Sequence, residues 1–206
     1  MTTECTALLA NPHPCAHIVY PYVDENHVEQ AVSLFAGSGI RNGEGVILIM
    51  TADHCEPITL RLQREGFNVA ECERSGHLTC IGTEDFLARL MANGTLKEAL
   101  FRSTISRLVD RARAAVSNGN PGKVRIFGEM VSQLRCTSLV ATTRLEELWN
   151  DVIDEHSVSV LRTYALQNMD EHLPKALIEL HSRNITAGTA GLSGKYELLG
   201  NLDEAM

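Results

Sequence analysis

No apolar run in this 206-residue chain approaches the length of a membrane span, and the strand-like block GVILIM stops after six residues. The opening MTTECTALLANPHPCAH lacks the basic start and long apolar centre of a secretory signal. The six cysteines, at positions 5, 15, 55, 72, 80 and 136, form no C-x-x-C pair and read as free thiols of a reducing compartment. Together these absences make a cytoplasmic protein, with no membrane partner, the expectation. Positive charge is also scarce: 18 Lys and Arg stand against 26 Asp and Glu, for a formal charge of −8. That balance argues against a sequence-independent binder of phosphate backbones, and so against direct nucleic-acid contact. A phosphate loop of the form G-x-x-x-x-G-K-[ST] occurs nowhere.

What remains is ample for a core. Apolar residues make up 44% and charged residues 21%, within the range of a folded domain. The length suits one α/β domain with tails. HIVYPY from His17, GVILIMT from Gly45, HLTCIGT from His77, KVRIFGEM from Lys123 and VSVLRTYAL from Val158 read as five strands. Between them lie helical periods: Val28, Ala31, Val32 and Phe35 behind an Asp24 cap, and Ile58 and Leu62 behind Asp53 and Glu56. A third stripe, Phe101, Ile105, Leu108, Val109, Ala112 and Val116, follows a capping box at Thr95 and Glu98. The fourth carries Leu145, Leu148, Trp149 and Val152. Alternating strands and helices imply an α/β fold of three layers, a mostly parallel sheet with helices on both faces. A shorter amphipathic helix, HLPKALIELHSRN, follows, and the glycine-bearing end is expected to be a flexible tail.

The glycine-rich FAGSGIRNGEG, with Gly37, Gly39, Gly43 and Gly45, resembles a phosphate loop only in composition. A phosphate loop leaves a strand and enters a helix, because the helix N-terminus supplies free N–H groups and a positive field. Here a helix ends and a strand begins, so Gly39 or Gly43 is expected to supply a left-handed helix C-cap. The junction where such a loop belongs reads YPYVDENHVEQ, with no glycine or lysine and with Asp24 and Glu25 in its place. That chemistry argues against nucleotide binding in the usual manner.

HIVYPY, LFAGSGIRNGEGVILIMTADH, VRIFGEMVSQL, RLEELWNDV and VLRTYAL occur in the order found in the MEDS family, the methanogen/methylotroph sensory domains. The chain resembles that family from about Ala16 to Gln167, with FGEM and RLEELWN the most specific blocks. The resemblance implies a RecA/KaiC-like fold without a P-loop. It divides the chain into an N-terminal arm (1–15), a sensory domain (16–184) and a tail (185–206). It further implies a non-enzymatic role in signal transduction, binding a small organic ligand or a signalling partner such as a histidine kinase or transcription regulator. No cofactor is implied, and a homodimer is compatible with it. With no kinase or helix-turn-helix segment in view, the module is expected to pass its signal to another chain. The competing reading is a nucleotide-binding protein or enzyme using atypical contacts on the same scaffold, since fold does not settle function.

Ligands of open parallel sheets sit beyond the carboxyl ends of the strands. The candidates there are Tyr20 and Tyr22, Thr51, Asp53 and His54, Glu129, and Tyr164, which together would make a ring-lined pocket with a few polar groups. His17 is a further ligand candidate or a hydrogen-bonded structural histidine. Glu129 stands where related ATPases keep a metal-organising acid; its other reading is a capping acid or one paired with Arg125 or Arg144. Trp149 reads as core, and Arg144 as a helix partner of Glu147. Cys72, His77 and Cys80 lack the fourth ligand a zinc site needs, so no metal is expected. Adjacent His54 and Cys55 point apart at a helix start and make no nucleophile–base pair.

Overall fold

A computed structural model describes residues 1, 3–22, 24–92, 95–116, 122–130 and 139–165. The chain runs α1 (Thr3–Ala10), β1 (His17–Tyr22), α2 (Glu25–Arg41), β2 (Gly45–Met50), α3 (Ala52–Arg64), α4 (Val69–Ser75), β3 (Leu78–Gly82) and α5 (Thr83–Leu90). It continues through a two-residue ladder of β4 (Met91–Ala92) with β5 (Thr95–Leu96), then α6 (Glu98–Val116), β6 (Val124–Gly128), α7 (Leu139–His156) and β7 (Ser159–Ala165). The five long strands form one parallel sheet in the order β1-β7-β6-β2-β3. Central β2 is buried along its whole length, as its unbroken apolar sequence requires.

Alternation along each strand sends side chains to two separate cores. Ile18, Tyr20, Leu48, Phe127 and Leu161 meet α1 to α4 on one face. Val19, Ile47, Ile126 and Val160 meet α5, α6 and α7 on the other. The chain therefore leaves β2 toward one face, through α3, and α7, the next helix described after β6, packs on the opposite one. These neighbouring strands thus form the switch point of the sheet, the crevice position at which open sheets take ligands. No helix among the described residues is long and apolar enough to cross a membrane.

Local signals act as expected at several places. Asp24 caps α2, its carboxylate accepting from Asn26 N at 2.8 Å. Gly43, not Gly39, takes the left-handed turn after α2, at φ 69°. Gly39 lies inside the helix, where a Cβ would meet Arg125 Cδ and Val46 Cγ2, each at 3.0 Å. The capping box at Thr95 and Glu98 does not form. Thr95 is held in the ladder with Ala92, and Glu98 turns to Arg144 at 2.7 and 2.6 Å. Three helices went unforeseen. In residues 1–15, α1 buries Cys5 and Leu9 against the α2 face, and α4 and α5 flank β3. The helix HLPKALIELHSRN and the tail 185–206 lie outside the described residues.

Arg125, in β6, is 1% exposed and ties α1 to the sheet. Its Nε donates to Glu44, and Nη1 lies 3.1 Å from the carbonyl oxygens of Leu9 and Ala10 and 3.2 Å from that of Phe35. A cation on the last carbonyls of a helix suits its dipole. Removing one member of a buried pair strands the other, so Arg125→Ala is expected to lower the unfolding free energy in urea by about 3–5 kcal/mol. Hydrogen exchange should show α1 losing protection first; an α1 as protected as in the parent would contradict this role.

Candidate functional site

Three chain segments meet at the crevice between the carboxyl ends of β2 and β6. Strand β1 ends at Tyr22 and passes through the Asp24 cap to Glu25, the first residue of α2. Strand β2 ends at Met50, Thr51 is the N-cap of α3, and His54 sits in that helix's first turn. Strand β6 ends at Gly128, and the next residue, Glu129, donates its backbone N–H to Ile49 O at 3.1 Å.

Glu129 is the centre of the arrangement. Its Oε2 accepts from the Thr51 backbone N–H at 2.7 Å and from the Thr51 hydroxyl at 3.0 Å. Its Oε1 accepts from His54 Nδ1. The far side of the same imidazole, Nε2, donates to Glu25 Oε2 at 2.6 Å. An imidazole facing carboxylates through both nitrogens needs a proton on each, so the ring is an imidazolium. The Glu129 hydrogen bond is the main force raising its pKa to about 9; burial opposes this, and Glu25 adds to it. Tyr22 stands edge-on to the His54 ring with centroids 6.4 Å apart. Burial, followed by the charges of Glu25 and Glu129, raises the Tyr22 phenol above its usual range and keeps it neutral.

The His54 and Glu129 side chains are 11% and 4% exposed, whereas Glu25 is 63% exposed. Solvent therefore meets the bridge from the α2 side. Asp24, Glu25 and Glu129 outnumber the single imidazolium, giving a field that opposes a polyphosphate.

Of the residues singled out by strand-end position, Tyr22, Thr51, His54 and Glu129 come together here. Tyr20 shares their face of the sheet, buried in the α2-side core. Asp53 is exposed in the first turn of α3, where its charge suits the helix dipole. His17 and Tyr164 are not part of the group. Both point to the opposite face, toward Glu146 of α7, so the expected single ring-lined pocket is two separate clusters. The pairing of Glu129 with Arg125 or Arg144 is likewise corrected: Arg125 binds Glu44, and Arg144 binds Glu98 and, at 2.5 Å, Glu147. Trp149 is fully buried core, edge-on to Phe101. Cys55 is exposed while its neighbour His54 is buried. Among the described residues no group of three or more His, Cys, Asp or Glu is disposed to hold a metal. Glu25, Glu146 and Arg162 were not picked out as site residues. Their signals were an acid at a helix start, a carboxylate within an apolar stripe, and a lone arginine inside the apolar strand VSVLRTYAL.

The sequence profile of the "MEthanogen/methylotroph, DcmR Sensory domain" family, MEDS, matches residues 16–182. No curated protein matches the chain in sequence. Among solved structures, it is similar to a KaiC-like protein from the hyperthermophilic archaeon Pyrococcus horikoshii, with a TM-score of 0.52 and 11% identity. The alignment covers 74% of this chain and 62% of that one, so the chain spans less than two thirds of that protein, and the likeness shows the fold alone.

The bridge makes stability depend on pH in a defined direction. An unfolded histidine titrates near 6.5, and folded His54 at about 9. The stabilisation is complete below about pH 6.5, declines across the interval and is lost above about 9. The unfolding free energy of the parent, minus that of His54→Gln, should therefore fall by at most about 3 kcal/mol over that window. An imidazole resonance titrating near its free value would refute the bridge.

Proposed function

Since the chain belongs to the MEDS family of sensory domains, we propose that it is a non-enzymatic sensory module that reads a small organic ligand at the β2–β6 crevice and reports to a signalling partner. The observation that carries this reading is the Glu25–His54–Glu129 bridge. Its Glu25 end stands at the β1–α2 junction, where a phosphate-binding fold would present backbone amides and a lysine. The carboxylate that could organise a metal is already engaged by Thr51 and His54.

The bridge also supplies a coupling element. His54 belongs to α3, Glu25 to α2, and Glu129 follows β6, so one side chain joins three elements. A ligand that competes for Glu129 or Glu25, or stacks on Tyr22, would favour an arrangement in which these elements are no longer tied. Only a ligand with different affinities for the tied and untied states shifts the balance. The recipient fits the same logic: a histidine kinase or transcription regulator that contacts the exposed Glu25 end of α2 in one state. Catalysis is not part of this reading, because both nitrogens of His54 and both carboxylate oxygens of Glu129 are spent on neighbours.

A thermal-shift screen of the chain with ATP and GTP, with and without Mg²⁺, and with a panel of small neutral and cationic organic compounds tests this. The nucleotides are expected to leave the melting temperature unchanged. A panel member present at about 100 times its Kd should stabilise by about 2.7 kcal/mol, and Glu129→Gln should remove the effect. Mg²⁺-dependent stabilisation by ATP would overturn the reading, as would ATP turnover abolished by Glu129→Gln.

A further inference from the structure

The opposite face of the sheet holds a polar cluster that the crevice does not use. Glu146 of α7 is fully buried at its centre. Its Oε1 accepts from Arg162 Nη2 at 3.0 Å and from the Tyr164 hydroxyl at 2.8 Å, and Oε2 lies 3.5 Å from His17 Nε2. His17 Nδ1 donates to Asn150 Oδ1 at 2.9 Å. Arg162 is only partly used by this arrangement. Among the described residues, its Nε and Nη1 are buried without an acceptor, and so is the indole Nε1 of Trp149. Arg162 is 1% exposed and Trp149 0%, so bulk water does not serve them.

These donors lie close together. The Arg162 guanidinium carbon is 5.3 Å from the Trp149 ring centroid. Both border Gly128, the last residue of β6, where a Cβ would meet Arg162 Nη1 at 3.0 Å and Trp149 Cζ2 at 3.7 Å. An unmet buried donor is costly, and more so when charged. Guanidinium and indole N–H groups can only donate, so what completes them must be an acceptor, and a charged donor prefers an anionic one. Planar oxyanions match a guanidinium best. The Trp149 ring, with Phe101 edge-on at 5.2 Å, makes the adjoining wall apolar.

We propose that Arg162, Trp149 and the space beside Gly128 form a binding site for the carboxylate of a small organic acid. One carboxylate oxygen would accept from Arg162 Nε or Nη1 and the other from the Trp149 indole, while Glu146 stays on Nη2. The site is distinct from the β2–β6 crevice and does not rest on the function proposed there. Because its residues are buried, entry requires α7 to lift from the sheet, which makes binding itself a conformational event.

Trp149 is the chain's single tryptophan, so its fluorescence reports on this place alone. The test titrates the full chain at constant ionic strength and neutral pH with acetate, propionate and butyrate, each against its amide. At least one carboxylate should give a saturable change in emission and a matching rise in melting temperature, with no such effect from the amide. Gly128→Ala, which sets a methyl against Nη1, should weaken the response at least tenfold. Arg162→Met should abolish it, and His54→Gln should leave it intact. Failure of all three carboxylates would overturn the proposal and identify the donors as served by ordered water; so would equal responses to acid and amide, or an undiminished response in Gly128→Ala. Should Arg162→Met fail to fold, the parent titration and Gly128→Ala decide the question.

Discussion

The carboxylate of Glu129 can be satisfied only if β2, α3 and β6 stand in one relation. Two of its bonds come from Thr51, the third comes from His54, and its own N–H is spent on Ile49. A buried acid at a strand end would otherwise exact a desolvation penalty of several kcal/mol. The imidazolium offsets that penalty and carries the constraint to Glu25 on α2. Parallel-sheet topology determines where the crevice lies; this one acid and its partners determine what it accepts. An ATPase scaffold of the same outline would present cationic and amide groups at that mouth, whereas here the mouth is bridged and acidic.

Two arginines extend the same logic into the sheet. Arg125 in β6 and Arg162 in the neighbouring β7 project to opposite faces, each 1% exposed and each set against a glutamate, Glu44 and Glu146 respectively. Each also relies on a missing side chain, at Gly39 for Arg125 and at Gly128 for Arg162. Glycine is used here for volume: neither position carries a positive φ. The two sites differ in how fully they are met. Three carbonyls and a carboxylate receive Arg125, which keeps only Nη2 unmatched among the described residues, whereas Arg162 keeps two nitrogens unmatched beside an unmatched indole. A buried ion pair adds little net stability, so what Arg162 contributes turns on what meets its two remaining nitrogens.

Much of the architecture could be read from local chemistry. The five long strands follow from apolar runs and the long helices from their stripes, and the Asp24 cap forms where its side chain is placed to accept. The misreading at Thr95 shows the limit of such signals: the Thr-x-x-Glu spacing is real, but a cross-strand partner took the threonine and Arg144 took the glutamate. Helix α4 was announced by Asn68 three residues before Glu71, where the Asn68 side chain does accept from Glu71 N at 3.1 Å. Its shortness, seven residues, left no periodicity to confirm it.

The site was half legible for a geometric reason. Position along a strand can be counted from sequence, which is why Thr51, His54 and Glu129 were found together. The face a side chain takes follows from odd or even position, and within β1 that count already separates His17 from Tyr20 and Tyr22. Placing Tyr164 needs the register between β1 and β7, which pairs Pro21 with Tyr164 and is set by contacts across 143 positions of sequence. The pairing of Glu146 with Arg162 depends likewise on how α7 lies over β7. Each residue on its own resembles a tolerated charge. Only their meeting in an apolar layer makes the unused donors visible, and long-range packing, which no local pattern encodes, brings that meeting about.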